Sequence, residues 1–218
     1  MPRAAPAANP EVELLELLPQ RSAQEFARGS VIYTPHQPCT HLYLLVAGRV
    51  KVSSTPGEGE TACRLVFKGS LFGEPVLVRP SEHSETAVAL SPASLISWTS
   101  GEIEKQVDLY PRLGVVLCQF MVRQCLELAD RLQSLALYNT PERVMMALAE
   151  LAHRTGVELP DGFTRVETLT HQTLSDYVGT SREVVTFHLN RLRSLGLIRY
   201  SRRHMDLAVD KLEAAIRE

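Results

Sequence analysis

Long hydrophobic runs are missing from this sequence: no apolar stretch approaches the roughly 18 residues that suggest a membrane span. Catalytic signatures are missing as well. There is no phosphate-cradling glycine loop, no HExxH helix and no GxSxG elbow, so no enzyme and no catalytic residue is expected. Cysteine is scarce, four residues with no CxxC pair, which argues against a structural zinc site and against a disulfide framework. A reducing cytoplasm, no metal and no cofactor follow as expectations. Net charge is only −2, so the average gives no sign of a nucleic-acid partner. Met1 to Pro10 is rich in alanine and proline but lacks the apolar core of a secretory signal; residues 1–10 read as a disordered lead-in.

What remains is the profile of a globular chain. The 218 residues suit two compact domains, and 44% hydrophobic with 22% charged residues is ordinary for such domains. From Gly29 to about Trp98, short apolar runs alternate with turns. The runs are Ser30–Tyr33, Leu42–Val46, Arg49–Val52, Arg64–Phe67 and Thr86–Leu90, separated by segments such as Pro35–Pro38, Ala47-Gly48 and Pro56–Glu60. That spacing predicts a β-barrel or roll, preceded by a short helix over Glu11–Leu18.

After Pro111 the period changes. Gly114, Cys118, Met121, Cys125, Leu128, Leu132 and Leu135 fall at spacings of 4, 3, 4, 3, 4 and 3, a heptad seam on a helix reaching about Leu137. Leu113, Val116, Leu117 and Phe120 form a second stripe suited to the roll. A helix with two apolar faces needs two partners, so the seam is expected to pair with a second copy of the chain. Cys118 and Cys125 would then each face a symmetry mate, and an intersubunit disulfide is geometrically feasible, although free cysteine more often serves as a small apolar residue. Asn139 to Glu142 carries helix-start signals and marks a domain boundary, with the next helix running from Pro141 to Thr155 and a strand near Arg165–Glu167.

The most informative stretch is Thr170 to Ile198. Thr170 can cap a helix carrying Leu174, Tyr177 and Val178, and Gly179 supplies a tight turn. Thr180 and Glu183 have capping-box spacing for a second helix. On that helix Val185, Leu189 and Leu192 should pack inward, leaving Arg182, Glu183, Thr186, Phe187 and Asn190 outside. Helix, glycine turn and capped helix form the helix-turn-helix pattern, whose second helix enters the major groove N-terminus first. Arg182 suits guanine O6 and N7, and Glu183 suits cytosine N4. Arg182 to Arg203 contains six arginines against Glu183 alone, a local balance of +5, the footprint expected where phosphates dock. Ile198–Tyr200 and Met205–Val209 read as a wing hairpin with Arg202 and Arg203 at its tip. A last helix, Asp210–Arg217, reads as a surface element.

The roll, the dimerising helix and the segment Val178 to Val185 resemble the CRP/FNR family of bacterial regulators, from about Phe26 to Val209. The resemblance implies an α+β chain: a cyclic-nucleotide-binding-like β-roll (11–110), a dimerisation helix (111–138) and a winged helix-turn-helix DNA-binding domain (139–218). It further implies a cytoplasmic homodimer on a two-fold symmetric double-stranded DNA operator, with RNA polymerase as a further partner. His171 and Gln172 would lie near phosphates. Phe187 stands where family members often carry arginine, and it can press on a thymine methyl instead.

In the family's effector pocket a Gly-Glu pair holds ribose and an Arg-Ser pair holds phosphate. Gly73-Glu74 matches the first; Glu85-Thr86 replaces the second. Two like charges 4 Å apart at an effective dielectric near 20 repel by about 4 kcal/mol. Leu128-Ala129 stands where the adenine-contacting pair would be. Cyclic AMP is therefore not expected, and the effector is unidentified or absent. Cys39, Cys63, Cys118 and Cys125 are too scattered for an iron–sulfur cluster. His36, His41 and His83 read as surface histidines, and Pro75 stands where haem-sensing relatives need a ligand. The alternative function is a dimeric small-molecule or redox sensor acting through protein contacts, its DNA affinity vestigial; Arg182 and the basic wing weigh against it.

Overall fold

The computed structural model describes residues 10–57, 60–78, 82–201 and 203–217. The lead-in up to Asn9, the centre of the expected turn at Glu58-Gly59 and the wing residue Arg202 lie outside the described residues. By contacts the chain divides into two units. One contains residues up to Ser54 and Arg64–Ala129; the other contains Thr55–Cys63 and Asp130–Glu218.

In the first unit, helix α1 (Pro10–Leu17) leads into strands β1 (Gln24–Phe26), β2 (Val31–Tyr33), β3 (His41–Ala47), β4 (Val50–Gly57), β5 (Glu60–Val66), β6 (Leu71–Phe72), β7 (Thr86–Ala89) and β8 (Ala93–Thr99), with the end of β4 from Thr55 and the start of β5 up to Cys63 falling to the other unit. They form two sheets, ordered β1-β8-β3-β6 and β2-β7-β4-β5. Strand β3 lies inside the first sheet, paired antiparallel to β8 and β6, and it is buried on both faces. Leu42 and Leu44 point into one core with Leu71 and Trp98, while Leu45 points into the other with Phe72 and Leu95. A strand covered on both sides reads as a continuous apolar run, which is why Leu42–Val46 lacks alternation.

Helix α2 (Ser100–Leu109) then starts at a capping box in which Thr99 and Glu102 satisfy each other's backbone amides. The apolar runs alone place this segment with the roll. Its apolar positions are too few to print a helical period, although Thr99 and Glu102 carry the start signal. The long helix α3 (Arg112–Leu137) buries Leu113, Val116, Leu117 and Phe120 in the same core as Leu42, Leu71 and Trp98, as its second stripe predicts.

The second unit is built on α4 (Thr140–Thr155), which begins at an Asn139–Glu142 capping box and ends at Gly156. It continues with β9 (Val157–Glu158), β10 (Thr164–Glu167), α5 (His171–Val178), α6 (Arg182–Ser194), β11 (Ile198–Tyr200), β12 (His204–Leu207) and α7 (Val209–Arg217). The sheet order is β11-β12-β10-β9. Val144, Leu148 and Leu151 of α4 are buried, as are Leu174, Val185, Leu189 and Leu192. Helix α7 is anchored rather than superficial: Val209 and fully buried Leu212 enter the core, and Glu213 pairs with His153 of α4 at 2.7 Å.

Candidate nucleic-acid interface

Local chemistry sets the entry angle of α6. Thr170 caps α5 by accepting from the Thr173 amide at 3.0 Å. Gly179 ends α5 at φ 75, and both its amide and that of Thr180 bond to the Ser175 carbonyl. A side chain at Gly179 would find ordinary room, the nearest atom being Leu135 Cδ2 at 3.6 Å. The left-handed backbone is what demands glycine. Gly179→Ala is therefore expected to cost about 1–2 kcal/mol, measurable as a lower denaturant midpoint at unchanged slope.

The cap of α6 is Ser181, which accepts from the Val184 amide at 3.3 Å. Capping-box spacing points instead to Thr180; two hydroxyls stand side by side, and the helix starts one residue later than the spacing implies. Glu183 consequently sits in the first turn. A backbone amide and the Ser181 hydroxyl hold its carboxyl below the usual range, keeping it ionised as a hydrogen-bond acceptor.

Arg182, Glu183, Phe187 and Asn190 are exposed along α6, while Val185, Leu189 and Leu192 are buried beneath them. Phe187 is 62% exposed, with its ring edge-on to His188. Thr186 and His171 are half-buried and hydrogen-bonded to each other at 2.8 Å, Thr186 also donating to the Arg182 carbonyl. His171 thus joins the two helices of the motif, while Gln172 is exposed and donates to Asp176 at 2.7 Å.

In the wing, β11 and β12 pair antiparallel, closed by Ser201, whose hydroxyl donates to the His204 carbonyl. Arg203 is exposed. Arg199 is not a spare cation: it bonds Asp161 at 2.5 Å and lies 3.7 Å over the Phe163 ring. The basic patch is therefore one charge poorer than the sequence count. The same pairing lowers the Asp161 carboxyl, and Arg165 does likewise to Asp206 across the sheet.

Residues 23–110 match the model of the cyclic nucleotide-binding domain, and residues 142–215 that of the Crp-like helix-turn-helix domain. The chain is 32% identical over 178 residues to the global nitrogen regulator of Synechococcus elongatus, covering 80% of each protein. It is 24% identical to the CRP-like cAMP-activated global transcriptional regulator of Mycobacterium tuberculosis, covering 84% of this chain and 82% of that one. A solved CRP/FNR-family transcriptional regulator from Thermus thermophilus superposes with a TM-score of 0.75 at 26% identity, over 90% of this chain and 98% of that one. The chain belongs to the CRP/FNR family. It is a transcription regulator with a helix-turn-helix DNA-binding domain. No helix among the described residues is long and apolar enough to cross a membrane.

The roll of this CRP/FNR regulator carries a half-buried polar cluster beside its apolar cores. Gly73 stands at φ 81, where a Cβ would meet the His41 carbonyl at 2.8 Å, and it opens the 3₁₀ turn Glu74–Leu77. Glu74 is taken up by Arg64 in a two-pronged pair at 2.9 and 3.2 Å. Burial opposes the Arg64 charge, yet the pull of Glu74, with Glu85 and Tyr33, leaves its pKa raised. Glu85 is half-buried, and burial, reinforced by the nearby Glu74, pushes its carboxyl up against the counter-pull of Arg64. Arg64 is absent from the sequence expectations because nothing in a strand's alternation distinguishes a half-buried, paired arginine from a solvated one. Thr86 is half-buried beside Glu85. The cleft between β5, β6 and α3, with Arg64, Ser70, Phe120, Gln124 and Glu127 in its walls, has a volume of about 30 Å³. That suits a water or two; ligand pockets start near roughly 300 Å³.

The opposite face of α3 is open. Cys118 and Cys125 are exposed, and Val115, Val122, Leu126, Leu128, Leu132 and Leu135 are between 48% and 68% exposed. Met121 turns the other way and packs against the roll core, and Gly114 is half-buried near Val107. Five of the seven expected seam positions, Cys118, Cys125, Leu128, Leu132 and Leu135, are thus exposed, while Gly114 and Met121 are half-buried and their neighbours Val115 and Val122 stand open instead. His83 differs more sharply from its surface reading: it is buried at 6% exposure and stacked on Tyr33.

Proposed function

We propose that this CRP/FNR protein acts in the cytoplasm as a homodimer, delivering two α6 helices to successive major-groove faces of a two-fold symmetric operator, and that cyclic AMP is not its trigger. The observation carrying the reading is the α6 surface: Arg182, Glu183, Phe187 and Asn190 exposed on a rigidly capped helix. Arg182 serves as guanine reader, Glu183 as acceptor for cytosine N4 and Phe187 as the contact for a thymine methyl. Gln172, Thr180, Ser181, Arg202 and Arg203 are assigned to phosphates. His171 and Thr186 are assigned to the same DNA-facing surface, their mutual hydrogen bond also holding the two helices in register. RNA polymerase is the natural downstream partner.

Pairing is supported by the open stripe of α3. Monomers rarely leave so many large apolar residues exposed in one row, and the spacing is that of a two-stranded coil. Independence from cyclic AMP is supported by the roll. Arg64, the cation beside Glu74, is committed to that carboxylate, and Glu85 adds an acidic group close to the pair, where the family's pocket holds a phosphate. The expected result is that operator affinity of exhaustively dialysed protein changes less than about twofold when millimolar cyclic AMP is added, the coupling free energy between the two ligands being near zero. A gain of about tenfold on addition would overturn this part of the reading.

A further inference from the structure

The roll contains a cysteine–imidazole pair that the regulator's DNA-binding role does not use. Cys39 Sγ lies 3.4 Å from Nδ1 of His83, and the same sulfur reaches the Gly73 carbonyl at 3.8 Å. His83 is held on three sides. Its carbonyl accepts from the His36 amide at 2.8 Å and its amide donates to the Gln37 carbonyl at 2.9 Å. Its ring lies flat on Tyr33, centroids 3.7 Å apart at 8°. His36 adopts a left-handed backbone at φ 64, uncommon for a residue with a side chain, and this turn carries the chain into Cys39. The imidazole residue is buried, while Cys39 keeps partial access to solvent. Burial favours the uncharged ring, and a neutral imidazole has one nitrogen free to accept. The other three thiols have different surroundings: Cys63 is buried, and Cys118 and Cys125 stand on the open face of α3.

We infer that Cys39 and His83 form a reactive thiol site in the roll, directed at small hydroperoxides. In the step, the Cys39 S–H proton passes to Nδ1 of His83 and the sulfur attacks one peroxide oxygen. The O–O bond breaks, and the leaving oxygen takes the proton from Nδ1, departing as water or an alcohol. Sulfur loses two electrons to become a sulfenic acid, and the peroxide gains them. The pair follows the logic of activated cysteines, a partially exposed sulfur beside a fixed proton acceptor.

The full chain, treated with hydrogen peroxide and trapped with dimedone, is read cysteine by cysteine by peptide mass spectrometry, with N-acetylcysteine in the same solution as an unassisted thiol. Cys39 is expected to be labelled roughly tenfold or more faster than N-acetylcysteine, a modest share of what positioned proton transfer supplies. His83→Phe keeps a ring on Tyr33 but removes Nδ1, and it should cut Cys39 labelling about tenfold; His83→Gln provides a second removal. Labelling of wild-type Cys39 no faster than the free thiol, or an unchanged rate in a folded His83 variant, overturns the site. Should both variants unfold, the wild-type comparison decides alone. None of these readouts depends on DNA binding, so the site and the regulator reading fail separately.

Discussion

Replacing Val122 with aspartate is expected to convert the protein into a monomer and to lower operator affinity by about 10²–10⁴-fold. Val122 is 58% exposed in the single chain, so the protomer has nothing to lose by the change. In the proposed pair the same residue is buried twice, once in each copy. Burying a valine side chain is worth about 1.5–3 kcal/mol, and two copies give roughly 3–6 kcal/mol. The aspartates add mutual repulsion at the seam, the negative element that specific coils use against wrong pairings. Sedimentation velocity reads the mass and circular dichroism the fold. A folded monomer with weak operator binding is the expected combination. An unfolded chain would mean that α3 depends on this face within one protomer, and a dimer of unchanged affinity would place the interface elsewhere.

Arg182→Ala is expected to act on specificity. A bidentate arginine–guanine contact is worth about 1–3 kcal/mol of discrimination, or roughly 5- to 150-fold per half-site. Arg182 stands exposed just beyond the Ser181 cap, so its removal leaves the helix and the buried row of Val185, Leu189 and Leu192 intact. Preference for guanine at one position of each half-site should disappear, while binding to unrelated duplex falls far less. Uniform weakening across all sequences, with a salt slope shallower by about one, would instead make Arg182 a phosphate contact.

Which parts of the molecule could be read from the residues follows from how local each signal is. The helix-turn-helix was legible because its determinants are neighbours: a cap, a glycine at φ 75 and three inward residues at helical spacing. Even there the start of α6 slips by one residue, since Thr180 and Ser181 offer the same hydroxyl and only tertiary packing selects between them. The exposed row of α3 was legible at Cys118, Cys125, Leu128, Leu132 and Leu135 but not at Met121. Met121 and Val122 are both apolar, and the roll core, absent from any local pattern, takes Met121. The half-buried polar groups of the roll were the least legible. Arg64 meets Glu74 from ten residues away, and Cys39 meets His83 across 44 positions. Such pairs are set by strand register and by a turn with one left-handed histidine, features that composition does not record. His83 lies among polar neighbours in sequence yet faces Tyr33 in space. The basic patch erred in the opposite direction, because a count of arginines cannot see that Asp161 takes Arg199.

The division of labour in the fold is consistent with these placements. Strand β3, covered on both faces, gives the roll a core on each side, and one of those cores fixes the buried stripe of α3. The remaining face of α3 is left open. In the second unit, Arg131 donates to the Tyr177 carbonyl at 2.7 Å and lies over the Tyr177 ring, while Tyr177 donates to Glu150. The first helix of the motif is thus tied both to α4 and to the last turns of α3.

Selection of bound sequences from a random duplex pool at a fixed salt concentration tests the paired-helix reading most directly. Paired α6 helices predict enrichment of a two-fold symmetric motif whose half-sites lie about one helical turn apart, each containing a guanine and a thymine. Recovery of a single asymmetric half-site, or of no motif at all, would contradict it.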